Sequence, residues 1–257
     1  MPVNSPQFSI FAHMGQKKLE RFEAIKSFRN VLQYPEGMRG QWRIFFGNSN
    51  SIQLELGCGK GEYTVELARR HPERNFIGVD LKGNRIYVGA RKCLEENIQN
   101  AAFLRTHIDK IRDYFEPEEV AEIWITFPDP QLRRSRAKKR LTHPRFLRLY
   151  QQILKEKGLI HLKTDSTDLY QFTLLVIDMY GLVLHENCED VYAPDNIMEE
   201  LRIKTYYEGL DIAGNRKIHY ISFSFPSKPL PELDVILHQR LKEDQTEHQC
   251  FATRGKE

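Results

Sequence analysis

The chain has 257 residues, with 38 Lys and Arg against 35 Asp and Glu for a net charge of +3, and 40% of it is apolar. That supports one α/β domain with appended ends, and it excludes a uniformly basic nucleic-acid coat protein or an acidic disordered chain. No apolar run approaches the ~18 residues of a membrane span, no secretion signal is evident, and Cys58, Cys93, Cys188 and Cys250 match neither metal nor redox spacing, so a soluble, cytoplasmic, metal-free protein is expected.

Residues 1 to about 16 read as a polar tail. From Gln16 to Asn30, Leu19, Phe22, Ile25 and Phe28 recur at helical spacing, with Lys17, Lys18, Arg21, Lys26 and Arg29 largely off that face. Residues 1–50 are thus expected to be a tail and helical extension before a main domain at 51–226. Pro226, Pro229 and Pro231 end that domain, and 227–257 reads as a C-terminal tail with room for one helix.

Ser51 to Leu56 reads as a strand that runs into Gly57, Cys58, Gly59, Lys60 and Gly61, with a helical pattern from Tyr63 to Arg70. A strand, a glycine turn and a helix let a backbone approach a nucleotide closely. Here the order is G-x-G-x-G, neither the dinucleotide fingerprint nor a P-loop. Glu55 puts a carboxylate at the end of the strand, where it disfavours a pyrophosphate and favours a cation such as a sulfonium with its ammonium. That choice of sign points to S-adenosylmethionine. A second strand, Asn75 to Asp80, ends in an acid where nucleotide-binding α/β sheets hold ribose hydroxyls. A tight structural connection is the competing reading of the glycine turn, and Glu55 and Asp80 in register with it favour a binding site.

Gly83 to Glu96 is the next helix, Ala102 to Thr106 a third strand and Asp109 to Phe115 a short helix. The apolar run Ala121 to Phe127 is a buried strand closed by Pro128. Asp129 therefore sits between two prolines just past a strand end, with Phe127 and Asp129 both biased toward extended backbone. Directly after it, Arg133 to Arg140 hold six cations in eight residues, and no acid occurs from Pro130 through Lys155. A solvated charged face is the ordinary reading of such a run. Cations without interleaved acids, next to a constrained carboxylate, instead fit a polyanion whose neutral base must be held at one point.

His143 to Lys155 reads as a helix, Gly158 to Lys163 as a strand, Thr167 to Tyr180 as a helix, and Leu182 to Cys188 and Lys217 to Phe225 as strands. Asp165 either caps the helix after it or binds a ligand, and both roles are open to it. Thr205, Tyr206, Tyr207 and Glu208 form a loop cluster, ordinarily a packing corner. The whole describes a doubly wound, mostly parallel seven-stranded sheet of Rossmann-like type, whose carboxyl-end rim would carry the glycine turn, Asp80, Asp129 and Asp165.

Four blocks in order, Glu55 to Gly61, Phe127 to Pro130 with the basic run to Arg140, Thr164-Asp165, and Thr205 to Glu208, resemble the bacterial tRNA (guanine-N7)-methyltransferases over roughly Ile52 to Phe225. That family reads Pro-Asp-Pro-Trp before its basic patch; this chain has Gln131 for the tryptophan, Arg133 for a lysine and Ser135-Arg136 for Arg-His. The resemblance implies a class I S-adenosylmethionine-dependent fold and transfer of a methyl group to guanine N7 in the tRNA variable loop, usually position 46, by a monomer or homodimer. It implies Asp129 as the catalytic residue and Glu55, Gly57, Gly59, Gly61, Asp80 and His107 around the cofactor. Asp129, Arg133, Asp165, Thr205, Tyr207 and Glu208 would bind the substrate, with Asp129 and Asp165 accepting the guanine donors, and Ser135, Arg136, Lys138, Lys139 and Arg140 would hold the RNA. His107 stands where relatives often have Asp, with Asp109 as an alternative contact. Two other readings remain: an amino-group methyltransferase, whose Asp/Asn-Pro-Pro-aromatic motif is absent here, and a non-catalytic RNA-binding protein of the same fold.

Overall fold

Near-continuous buried runs in the central strands cover both faces of the sheet, and the helices follow from the amphipathic segments between. The computed structural model describes residues 16–193, 197–205, 208 and 217–243. Its elements are α1 (residues 16–24), β1 (Val31–Gln33), α2 (Trp42–Phe46), β2 (Ser51–Leu56), α3 (Glu62–Arg70), β3 (Arg74–Asp80), α4 (Gly83–Glu95), β4 (Ala101–Arg105), β5 (Val120–Thr126), α5 (Pro144–Gln151), β6 (Leu154–Thr164), α6 (Thr167–Tyr180), β7 (Val183–Cys188), β8 (His219–Ser224) and α7 (residues 234–243). Short 3-10 turns occupy Ile108–Asp113, Arg134–Lys139 and Glu199–Arg202.

The strands form one sheet in the order β1-β4-β3-β2-β5-β6-β8-β7, parallel except for β8. Eight strands stand where seven were expected. The extra one, β1, has three half-buried residues, too few to show a period, and adds to the outer edge of β4. It also explains why α1 stops before Asn30: the Asn30 carbonyl already accepts the Phe103 N–H (2.8 Å), and its side chain donates to the Ala90 carbonyl (3.0 Å). Similarly, α5 ends at Gln151 rather than Lys155, because Leu154 pairs with Val120 and starts β6 early.

Odd and even positions separate the core into two layers. Leu54, Leu56, Ile77, Val79, Ile123, Ile125, Ile160 and Leu162 pack against α5, α6 and Leu237 of α7. Phe76, Phe103 and Trp124 face α3 and α4 together with Val191, Leu201 and Ile203. Leu230 and Leu237, beyond the last strand, are 6% and 1% exposed and belong to the first layer. Strand β7 is the opposite edge; most of it is exposed, and its pairing with β8 shifts register between Leu184 and Glu186. Because β2, β3, β5 and β6 run parallel, their carboxyl ends share one rim, and the strand order reverses between β2 and β5, where such sheets bind ligands.

Candidate active site

The glycine turn is fixed by the strand beside it. The Gly57 and Cys58 N–H groups both donate to the Val79 carbonyl (2.8 and 3.1 Å), and Gly57, Gly59 and Gly61 all have positive φ (76°, 56° and 75°). A Cβ on Gly61 would lie 2.5 Å from the Phe103 ring, so only glycine fits there. Gly59 differs: nothing but the Gly57 carbonyl, at 4.0 Å, would meet its Cβ, which would project into open space above the turn.

Two acids support this turn in different ways. Asp80, at the end of β3, accepts the Gly59 N–H (2.9 Å) and the Lys82 N–H (2.7 Å), locking the loop onto the neighbouring strand. Glu55 is 4% exposed and lies beneath the cleft. One of its oxygens accepts the Thr126 hydroxyl (2.7 Å), and the other accepts the Thr64 N–H (2.8 Å) and hydroxyl. Burial lifts its carboxyl to about 7 despite these donors. Neither threonine stood out in the sequence. The available signal was physical: an acid inside a buried strand requires donors from the adjoining strand and the next helix.

Strand β5 hands over to the Pro-Asp-Pro turn at Phe127, whose N–H still bonds the Lys163 carbonyl of β6 (2.8 Å). Phe127 then adopts φ 45°, not the extended backbone expected before proline, and Gln131 adopts φ 47°. Two non-glycine residues in left-handed backbone flanking Pro128-Asp129-Pro130 mark a sharply bent segment held by its surroundings. Asp129 is exposed, and one oxygen accepts the Gln131 N–H (3.0 Å). Asp129, Glu55, Gly57, Gly59, Asp80 and Thr205 all line one cleft of ≈ 260 Å³, joined by Lys82, Arg85, Gln131 and Lys139.

The remaining expected residues lie elsewhere. His107 is exposed after β4 and does not line the cleft, while Asp109 is paired with Arg145. Asp165 lies beyond the end of β6 and outside the cleft lining; the cap of α6 is Ser166, whose hydroxyl accepts the Leu169 N–H (3.3 Å), so the capping role falls to its neighbour. Arg133, Ser135, Arg136, Lys138 and Lys139 are exposed around the 3-10 turn, whose Ala137 is buried. Arg133, Arg136, Lys138 and Lys139 form no ion pair among the described residues.

Arg140 departs from its expected role. It is 4% exposed, donates to the Pro130 carbonyl (3.1 Å) and the Gln131 carbonyl (3.4 Å), and lies over the Phe172 ring. Its buried guanidinium holds the Asp129 turn from below. Tyr207 lies outside the described residues. Thr205 and Glu208 exchange bonds, the threonine hydroxyl accepting the Glu208 N–H (3.3 Å) and the carboxylate accepting the Thr205 N–H (3.4 Å), the reciprocal pattern of a capping box. The Glu208 side chain is only 5% exposed and faces the buried Lys163 ammonium (3.0 Å).

A family model described as "Putative methyltransferase" matches residues 49–221. The tRNA (guanine-N(7)-)-methyltransferase of Bacteroides thetaiotaomicron is 44% identical over 232 residues, covering 86% of this chain and 91% of the relative. That of Porphyromonas gingivalis is 47% identical over 211 residues, 77% and 86% of the two chains. The chain belongs to the tRNA (guanine-N(7)-)-methyltransferase family. A 30S ribosomal A1408 methyltransferase from an uncultured bacterium shares the fold, with a TM-score of 0.54 at 18% identity over 75% of this chain and 96% of its own. The chain puts its glycine turn and its acid-bearing turn on one rim. Among the described residues, no helix is long and apolar enough to cross a membrane.

Proposed function

We propose that this protein transfers a methyl group from S-adenosylmethionine to N7 of a guanine in tRNA. The observation that carries the reading is that Asp129 and the glycine turn, through Gly57, Cys58, Gly59 and Lys60, line the same cleft, in a chain of this family. The cofactor fits the residues present: Glu55 is a buried carboxyl short of a cation, and Gly59 leaves free the space a side chain would fill. Glu55 would attract the ammonium end, Asp80 would accept ribose hydroxyls with its remaining lone pairs, and the glycine turn would let the backbone close on the ligand. When bound, the cofactor supplies an electrophilic methyl group on a sulfonium.

Guanine N7 carries an in-plane lone pair and no proton, so no general base is required, and the protein's work is alignment. Asp129 is held by its Asx turn to Gln131 and by Arg140 beneath, which leaves its other oxygen for guanine donors. The same carboxylate offsets the positive charge that develops on the imidazole ring. The base must leave its stack to arrive there. Arg133, Arg136, Lys138 and Lys139, exposed along one turn, would hold phosphates, which give affinity and register. The resemblance favours the variable loop as the site, and a tRNA substrate favours action in the cytoplasm.

The test is to incubate bulk tRNA with protein and cofactor, cleave at 7-methylguanosine and read the stops by primer extension. A protein-dependent stop at one guanine is expected. Cofactor binding without any stop would assign the cleft to another reaction.

A further inference from the structure

The residue that joins the parts of this site is one the functional reading does not use. Lys163 is completely buried near the end of β6, directly beside Thr126 in register. Its carbonyl fixes the Phe127 N–H, the point where β5 leaves the sheet. Its ammonium points to the opposite partners, donating to the Leu201 carbonyl (2.8 Å), the Ile203 carbonyl (2.9 Å) and both oxygens of Glu208 (3.2 and 3.0 Å). The rings of Tyr63, Phe127 and Tyr192 surround it at 5.7, 5.4 and 6.0 Å. Tyr63 belongs to the helix after the glycine turn, and its hydroxyl also bonds the Glu200 carbonyl.

Three pieces of the site thus meet at one cation: the turn that carries Asp129, the helix behind the glycine turn, and the arm from Leu201 to Thr205 with Glu208. Two backbone carbonyls and a carboxylate inside a closed layer need a donor, and no apolar residue supplies one. We infer that Lys163 is a positioning residue that sets the Thr205 arm against the Asp129 turn, and so fixes where a base enters relative to the methyl donor. This rests on the reading of the cleft given above. Lys163 does not line the cleft; it acts through Phe127, Glu208 and the carbonyls of the arm.

Lys163→Met keeps the length and apolar contacts of the side chain and removes the ammonium. The expected result is a fall in kcat/KM for tRNA of about 10²-fold, the scale of a ~1 Å misplacement, with cofactor Kd within about threefold of the parent. Amide exchange in residues 199–205 should accelerate at least about tenfold while α3 and β5 keep their protection. Glu208→Gln, which neutralises the other end of the pair, should show the same split and decides the matter if the first variant does not fold. Turnover and exchange like the parent's would overturn the proposal, as would a loss in which melting temperature and cofactor affinity collapse together with activity, for that is a core residue and nothing more. If the parent itself methylates no tRNA, the functional reading falls, while the exchange measurement still shows whether Lys163 holds the arm.

Discussion

Asp129 is, among the described residues, the carboxylate of the cleft that is both exposed and set in a bent turn. Asp129→Ala should therefore reduce methyl transfer by at least about 10²-fold with little change in cofactor affinity, measured by single-turnover methylation and by calorimetry. Glu55 behaves oppositely. Its folded carboxyl titrates near 7, above its ordinary value of 4.5, so between those values the folded state holds more protons than the unfolded one and stability falls as pH rises. By pH 8 the cost is on the order of 3 kcal/mol. Glu55→Gln should melt higher than the parent at pH 8, lose that advantage below about pH 4.5, and bind the cofactor more weakly. A variant that melts lower at pH 8 would contradict the buried-charge account. The sequence located both acids from their place at strand ends. It did not show Thr64 and Thr126 beneath Glu55, since their role depends on which strand lies next to which.

At the scale of elements, the 3-10 turn from Arg134 to Lys139 separates two kinds of cation that look alike in sequence. Arg133, Arg136, Lys138 and Lys139 face outward, whereas Arg140 is spent on the Pro130 and Gln131 carbonyls. Replacing the four outward cations by Gln should lower the slope of log affinity for tRNA against log salt by ~0.7 to 0.9 for each phosphate no longer neutralised. Arg140→Met should leave that slope alone and lower kcat and melting temperature instead, because the turn loses its support. Filter binding across a salt series distinguishes the two. The run of charge was legible in the sequence, but a 3-10 turn with a buried Ala137 was not, and that turn decides which cation points inward. In the same way the Thr205 and Glu208 motif was legible as a cluster, while its buried partner Lys163 lies 40 or more residues away in the chain and its capping-box bonds show only in the fold. For the glycine turn, Gly61→Ala should cost about 2 kcal/mol or more in urea unfolding, from positive φ and the Phe103 overlap together.

For the whole molecule, helix and strand periodicity disclosed the alternating α/β order and seven of the eight strands, and β1 escaped because three residues carry no pattern. The stretch after Pro226 read as a tail because its prolines and charges hide Leu230 and Leu237. Arg148 clamps that stretch through both oxygens of Asp234 (3.1 and 2.7 Å). Removing residues 227–257 should lower the melting temperature by about 10 °C or more, as two buried leucines contribute ~1.5–3 kcal/mol each; a scanning calorimetry trace unchanged from the parent would show the segment to be dispensable. The register shift in β7 has a consequence of its own. An unpaired rim of a sheet is a template on which further chains can add, yet here the rim is kinked beside a histidine and a glutamate, so an incoming strand would find no flat ribbon to copy. Crowded solutions of this protein should accordingly stay free of fibrils.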